Sequence, residues 1–258
     1  MNTPPIIFER TQDIAILRLN RPEKMNSLAH EVFEAVHERL GVLEADSDLR
    51  ALILTGEGER AFCAGTDILE LNRANDGTEI SERGQGLCDR IEKFPVPVIA
   101  AINGIAAGGG LELALACHLR IASTNASFSL PETKIGLIPG YGGTQRLTRE
   151  IGAGRATEMM LTGRTMTSVE ALNVGLVNKV VPPADLHSET LSLANQISRL
   201  SPLSIRACLK AVTQGMELPL AEGLKLETEL FSELFGTEDA HEGTSAFLEK
   251  REPVFKGR

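Results

Sequence analysis

Cysteine is scarce. The 258-residue chain has four, Cys63, Cys88, Cys117 and Cys208, and none makes a paired C-x-x-C spacing. This excludes a disulfide framework and fits a reducing compartment, so a cytoplasmic location is expected. Positive charge is also in deficit. The formal net charge is -9 and no run of four or more Lys/Arg occurs, so no nucleic-acid partner is expected. The opening stretch MNTPPIIFER has neither a basic n-region nor a long apolar h-region, so no secretory leader is expected. Only Val96 to Cys117 is apolar enough to be weighed as a membrane span, and Pro97, Asn103, Glu112 and several glycines interrupt it. A carboxylate in mid-span is costly in lipid. The segment reads instead as a buried strand, a glycine turn and a buried helix, with no membrane partner.

Several motifs are missing as well. G-x-G-x-x-G fails, because it would need a glycine at Leu113 or at Ala106. There is no Walker loop, and the second glycine cluster, IPGYGGTQ, lacks the lysine. Neither a G-x-S-x-G elbow nor H-E-x-x-H occurs. The five histidines, His30, His37, His118, His187 and His241, make no ligand set, so no metal site is expected. No internal repeat or low-complexity tail is present.

What remains is a chain with 42% hydrophobic residues, enough for the core of one large domain. IIFERTQDIAILRLN reads as a hairpin turning at Gln12-Asp13, and Pro22 ends its second strand. Leu28, Val32, Val36, Leu40 and Leu43 recur at helical spacing, with Asn26 or Ser27 as the cap. Leu49–Thr55 and the PVIAAI run read as strands buried on both faces. GEGERAFCAGTDILEL reads as a loop leading into a short helix near Asp67. The polar stretch NRANDGTEISERGQG reads as a mobile surface segment, and LCDRIEKF as a helix ended by Pro95. LRIAS and ASFSLPE supply two further strands, and helices dominate from Leu186 onward. Alternating strands and helices imply an α/β core with a largely parallel sheet. A boundary near residue 190 divides a core, 1–190, from a helical region, 191–258. Leu220, Leu224, Leu226, Leu230, Phe231, Leu234 and Phe235 give that region more apolar surface than a lone peripheral helix needs.

The chemistry centres on naked backbone and two carboxylates. Gly108, Gly109 and Gly110 precede a helix, whose free N–H groups favour developing negative charge. Close strand–helix packing would demand the same glycines. Ala64-Gly65 is a second such place, and loops after parallel strands converge at the carboxyl end of a sheet. Glu112 sits in NGIAAGGGLELALAC, where a buried carboxylate needs a partner, a wet edge or a chemical role. Glu132 follows Pro131 in SLPE. Each has a plain reading, Glu112 as an ion-pair member and Glu132 as a helix-start residue. Together they can hold one water, one giving and the other taking a proton.

RPEKMNSL, AFCAGTDI, PVIAAINGIAAGGGLELALACHLRIAS, FSLPETKIGLIPGYGGTQRL and LTGRTMTSVEAL stand in this order. With them the chain resembles the enoyl-CoA hydratase/isomerase, or crotonase, superfamily from about Ile6 to its C-terminus. The resemblance implies a crotonase-like spiral of ββα units with a C-terminal helical trimerisation region. It also implies a homotrimer or homohexamer. The substrate it implies is an acyl-CoA thioester, in fatty-acid β-oxidation chemistry, with no cofactor beyond the coenzyme A carried by the substrate. The family's two oxyanion donors fall on the Ala64 and Gly109 N–H groups. Glu112 and Glu132, twenty residues apart, match the two-glutamate hydratases. Hydration of a trans-2-enoyl-CoA then has Glu132 protonating the α-carbon, while Glu112 orients the water.

The same resemblance puts CoA contacts on Lys24, Met25, Ala64, Thr66, Asp67, Ile68, Phe247 and Lys250. It lines the acyl pocket with Leu69, Leu87, Leu137 and Tyr141, the only tyrosine. Rival readings are a double-bond isomerase worked by Glu132, a hydratase for branched or cyclic acyl groups, and an RNA-binding or silent member. The acidic balance opposes RNA binding, and the retained glutamates oppose a silent enzyme.

Overall fold

A computed structural model describes residues 3–258; Met1 and Asn2, which open the stretch read for a leader, lie outside it. The first half of the chain runs β1 (Ile6–Thr11), β2 (Ile14–Leu19), α1 (His30–Glu44), β3 (Ala51–Gly56), β4 (Ala61–Cys63), α2 (Ile68–Arg73), α3 (Gly77–Glu92), β5 (Val98–Ile102), β6 (Ile105–Ala107) and α4 (Gly109–Ala116). Next come β7 (Leu119–Ser123), β8 (Ser127–Ser129), α5 (Gly143–Ile151), α6 (Ala153–Thr162), β9 (Met166–Thr167), α7 (Ser168–Asn173) and β10 (Lys179–Val181). Four helices close the chain: α8 (Leu186–Ser198), α9 (Pro202–Gly215), α10 (Leu220–Phe235) and α11 (Glu238–Glu249).

The larger sheet has the order β1-β2-β3-β5-β7-β10. Its hairpin turns at Gln12-Asp13 as the sequence implies, with Thr11 opposite Ile14 and Gln12 at φ 54°. All its other pairings are parallel. Alternation along each strand sorts the side chains to two cores. Ala15, Leu17 and Leu19 of β2, with Leu52 and Leu54 of β3, join the main core over α1, α3 and α4. Ile14, Ile16, Ala51, Ile53, Ile99 and Ala101 face the other way, against Leu186, Leu191, Leu193, Ala194 and Ile197 of α8. That second face explains why these strands read as continuously apolar. Residue 190 lies inside α8, which covers the sheet.

A smaller sheet, β4-β6-β8-β9, positions the site. β4, β6 and β8 run parallel, with Cys63 opposite Ala106 and Ala107 opposite Ser129. Two of these strands correct the sequence reading, which put β4 in a loop and β6 in a glycine turn. At three residues each they are too short to show an alternation.

Two other expectations change. The stretch read as a mobile surface segment is mostly α3, which begins at Gly77 with the Asp76 side chain accepting from Thr78 N at 2.8 Å. Neither Asn26 nor Ser27 caps α1. Its N-cap is Ala29, and the Glu70 carboxylate from α2 accepts the His30 N–H at 2.9 and 3.1 Å. Asn26 is instead buried, accepting from Arg21 N at 3.0 Å and donating to the Glu57 and Ala61 carbonyls at 3.0 and 2.7 Å. It staples the turn before α1 to the end of β3. Among the described residues no helix is long and apolar enough to cross a membrane.

Candidate active site

The carboxyl ends of β4, β6 and β8 deliver three segments side by side. β4 leads to Ala64–Asp67, β6 to Gly108–Glu112 and β8 to Leu130–Glu132. Gly108 N donates to Ser129 O at 2.9 Å, which laces the second segment to the third. A Cβ on Gly65 would stand 2.8 Å from Ala107 O and 3.1 Å from Gly109 N, so the first segment lies against the second. Gly65 at φ +94° and Gly108 at φ +52° occupy conformations that favour glycine. Around these segments is a cavity of about 550 Å³, walled by Ile68, Leu71, Ile80, Leu137, Ile138 and Tyr141, with Glu112 and Glu132 both on its lining.

Glu112 is 1% exposed, yet among the described residues no basic side chain bonds it. Its Oε1 accepts the Tyr141 and Gly143 N–H groups at 2.8 and 2.6 Å. Burial pushes its carboxyl up to about 7. The Glu132 charge adds to the rise, while the two N–H donors and Arg146 hold it back. A Cβ at Gly143 would sit 2.9 Å from this oxygen, so only glycine lets the turn approach. Glu132 opens a short 3-10 turn (Glu132–Ile135) behind Pro131. Its Oε2 is buried without a partner, and burial raises its carboxyl pKa too. Its Oε1 lies against Gly108, where a Cβ would be 3.1 Å away. The ion-pair reading of Glu112 fails, since it makes no ion pair among the described residues, whereas Glu132 does stand at a helix start, that of a single 3-10 turn.

The backbone donors need a correction. Ala64 lines the cavity, but its N–H already donates to the Met25 carbonyl at 3.0 Å. The available donor is two residues on. Leu28 N donates to Gly65 O at 2.8 Å, and a trans peptide points its N–H opposite its C=O. The Thr66 N–H therefore points away from Leu28, and it has no acceptor among the described residues. Gly109 behaves alike. The Gly108 carbonyl accepts from Leu111 and Glu112 N–H groups at 2.9 and 3.0 Å, so the Gly109 N–H at the helix start points outward, with no acceptor among the described residues. Thr66 and Gly109 are the free pair.

Tyr141 packs its ring on Gly84 and Gly109, meets Phe33 edge-on at 6.0 Å, and accepts from Thr66 Oγ1 at 2.7 Å. It and Leu137 line the cavity as expected. The other two expected acyl residues do not. Leu87 is in the main core, and Leu69 is exposed on the outer side of α2. Ile68 lines the cavity. Asp67 is occupied with structure, capping Leu69 N at 3.0 Å and pairing with Arg21 at 3.1 Å. Lys24 closes a 3-10 turn (Pro22–Lys24), and Met25 follows at φ 54° beside Ala64. Phe247 and Lys250 stand at the end of α11 and do not line the cavity of their own chain.

The segment from Leu69 to Leu87 does supply a wall of the cavity, as expected, but sequence reasoning missed that its polar part is helix, α3, where Ser81 Oγ and Gln85 Nε2 hold the Gly140 carbonyl at 2.6 and 3.0 Å. Asp76-Gly77-Thr78-Glu79 was the signal, an acidic cap with a glutamate three residues on.

A model of the enoyl-CoA hydratase/isomerase family matches residues 9–258. The chain is 40% identical to the short-chain-enoyl-CoA hydratase of Clostridium acetobutylicum over 256 residues, 98% of each chain. It is 41% identical to the 2,3-dehydroadipyl-CoA hydratase of Escherichia coli, covering 98% of this chain and 99% of that one. The crystal structure of an enoyl-CoA hydratase from Bacillus anthracis superposes with a TM-score of 0.95 at 40% identity, covering 98% of this chain and all of the other.

The burial of Glu112 has a measurable consequence. A carboxyl whose folded pKa is raised above the unfolded 4.5 lends its full stability below 4.5 and loses it as pH rises through about 7. Glu112→Gln removes that loss. In urea titrations, wild type should fall behind Glu112→Gln by about 3 kcal/mol between pH 4 and pH 8. A difference that stays flat with pH would mean that the Glu112 carboxyl is not raised.

Proposed function

We propose a function from one premise: the chain belongs to the enoyl-CoA hydratase/isomerase family. It is an enzyme of the enoyl-CoA hydratase type, adding water reversibly across the 2,3 double bond of a trans-2-enoyl-CoA to give the 3-hydroxyacyl-CoA. The observation that carries the mechanism is a buried Glu112 and a half-buried Glu132 with one enclosed oxygen, beside two backbone N–H groups without a partner among the described residues.

In this mechanism the thioester oxygen accepts from Thr66 and Gly109 N–H groups, which stabilise the enolate as charge reaches that oxygen. Water lies between Glu112 and Glu132. Glu112, held ionisable by two N–H donors on Oε1, has its other oxygen for the water and takes its proton as the oxygen attacks the β-carbon. Glu132, whose burial favours the neutral acid, gives its proton to the α-carbon. The proton inventory closes, because one carboxyl gains what the other loses and dehydration runs the steps backward.

The loop of Lys24 and Met25, with Ala64 to Ile68, is proposed to hold the CoA. Met25 O on Ala64 N keeps that loop beside the cavity. Phe247 and Lys250 are proposed to reach the CoA of a neighbouring chain. Association is supported by α10, whose Leu220, Leu224, Phe231 and Phe235 are all more than half exposed. The expected state is a homotrimer or homohexamer, and light scattering that gives a lone 27.8 kDa subunit would refute it.

Crotonyl-CoA should lose its conjugated absorbance with wild type. Glu112→Gln and Glu132→Gln should each lower kcat by about a hundredfold or more, with KM little changed. The double variant should lose much less than the product of the two, since the pair acts as a unit. With a saturated acyl-CoA, solvent deuterium should enter the α-position slowly in Glu112→Gln and hardly at all in Glu132→Gln. The reverse ranking would exchange the two roles, and near wild-type hydration in either variant would remove that residue from the mechanism.

A further inference from the structure

One largely enclosed cation takes no part in the hydration steps. The Arg146 side chain, on α5, is 13% exposed and does not line the cavity. Its Nη2 pairs with Asp89 at 2.6 Å and Glu92 at 2.8 Å, both on α3. Its Nη1 donates to the Tyr141 carbonyl at 3.0 Å. Gly142, at φ +104°, has no room for a Cβ, which would collide with that Nη1. The Tyr141–Gly143 turn is therefore clamped from two sides. Its carbonyl is on Arg146, and its two flanking N–H groups are on Glu112 Oε1.

We propose that Arg146 is a positioning residue for hydration, pinning the Tyr141–Gly143 turn to α3 so that both N–H groups stay on Glu112. This rests on the hydratase reading of the Glu112–Glu132 site. The geometry gives the reason. Ser81 and Gln85 hold only the carbonyl of Gly140, one residue before the turn. The packed Tyr141 ring and the start of α5 hold the two ends of the turn, but glycines at two of its three positions leave the backbone between them freer than other residues would. Without Arg146 the Glu112 carboxylate would lose its fixed orientation toward the water, and misplacement of a reacting group by about 1 Å can cost about a hundredfold in rate.

Charge adds a second consequence with a definite sign. Glu112 faces Glu132 beyond β8, Tyr141 and Arg146 from the turn and α5, and Cys88 of α3, while Cys63 of β4 packs against Gly110 of the same helix. Of these, Arg146 alone is cationic, and Asp89 and Glu92 partly offset it. Losing Arg146 loosens the N–H grip, removes the favourable charge and leaves two carboxylates uncompensated. All three effects disfavour ionised Glu112. Glu92→Gln does the reverse, keeping an acceptor for the guanidinium while removing one negative charge. Because Glu112 acts ionised in hydration, its titration sets the acid limb of the kcat–pH profile.

The test follows kcat and KM for crotonyl-CoA against pH in wild type, Arg146→Met, Arg146→Lys and Glu92→Gln. Arg146→Met should lower kcat by about tenfold or more with KM within about twofold. Its acid limb should move up by about half a pH unit or more, and that of Glu92→Gln should move down. Arg146→Lys keeps the charge and should recover part of both losses. A merely structural role would lower the folded fraction and leave every limb in place, and that outcome overturns the proposal. If Arg146→Met does not fold, unmoved limbs in both Arg146→Lys and Glu92→Gln overturn it equally. Wild type inactive on crotonyl-CoA and on branched enoyl-CoA would instead overturn the hydratase reading.

Discussion

A carboxylate inside an otherwise apolar helix is the constraint on which the rest of the site depends. Every residue of α4 is buried, and Glu112 is its only ionisable side chain. Left alone there, the carboxylate would be strongly disfavoured. A buried arginine bonded to it would make it a permanent anion and spend it as an ion pair. The fold does neither. It brings two backbone N–H groups to one oxygen and stations Arg146 one step further away, where its field acts without a direct bond. The carboxyl is left able to exchange a proton near neutral pH. The sharp turn with Gly142 and Gly143 serves this need, as does the length of α3, which anchors the turn through Ser81, Gln85, Asp89 and Glu92.

The second carboxyl and the two unpaired N–H groups proposed as oxyanion donors share one origin in the small parallel sheet. Three strands, three residues each, end within one residue of one another, so the residues just beyond them are neighbours although far apart in sequence. Trans peptides then fix the polarity. Wherever a carbonyl is taken by the scaffold, as at Gly65 and Gly108, the next N–H is presented on the opposite side. The hole needs no side chain, only glycines where the loops touch. Gly110 belongs to the same logic, because a Cβ there would run into the Cys63 carbonyl and separate α4 from β4.

The sequence made the large elements legible because their periodicity is long. The hairpin and the two-faced strands β3 and β5 showed as apolar runs, and α1 showed in the spacing from Leu28 to Leu43, of which Leu28 itself lies before the helix and bridges to Thr66. The short strands did not, since three residues carry no pattern. The polar start of α3 read as loop because its buried positions are glycine as well as leucine. Gly84 leaves space for Tyr141, and no scale of hydrophobicity registers that. Glu112 and Glu132 were visible only as a pair, each having a sufficient structural explanation alone. The glycines marked both donor places, and resemblance narrowed them to Gly109 and to Ala64, whose N–H is taken by Met25. Which amide of a loop is free depends on the strand it pairs with, here through Leu28 and Gly65, and a linear sequence does not carry that partner. Leu87 failed as a pocket residue for the same kind of reason, since the helix face it shares with Cys88 and Ile91 turns into the core.

The central claim is that the reacting oxygen sits between Thr66 and Gly109, in front of two carboxyls that hold one water. A crystal structure of the protein with butyryl-CoA, the saturated substrate analogue, tests it most directly. The thioester oxygen should lie within about 3 Å of both the Thr66 and the Gly109 nitrogens, with the Ala64 N–H still on the Met25 carbonyl. An oxygen bound to Ala64 with the Met25 contact broken, or one held away from Gly109, would contradict the account.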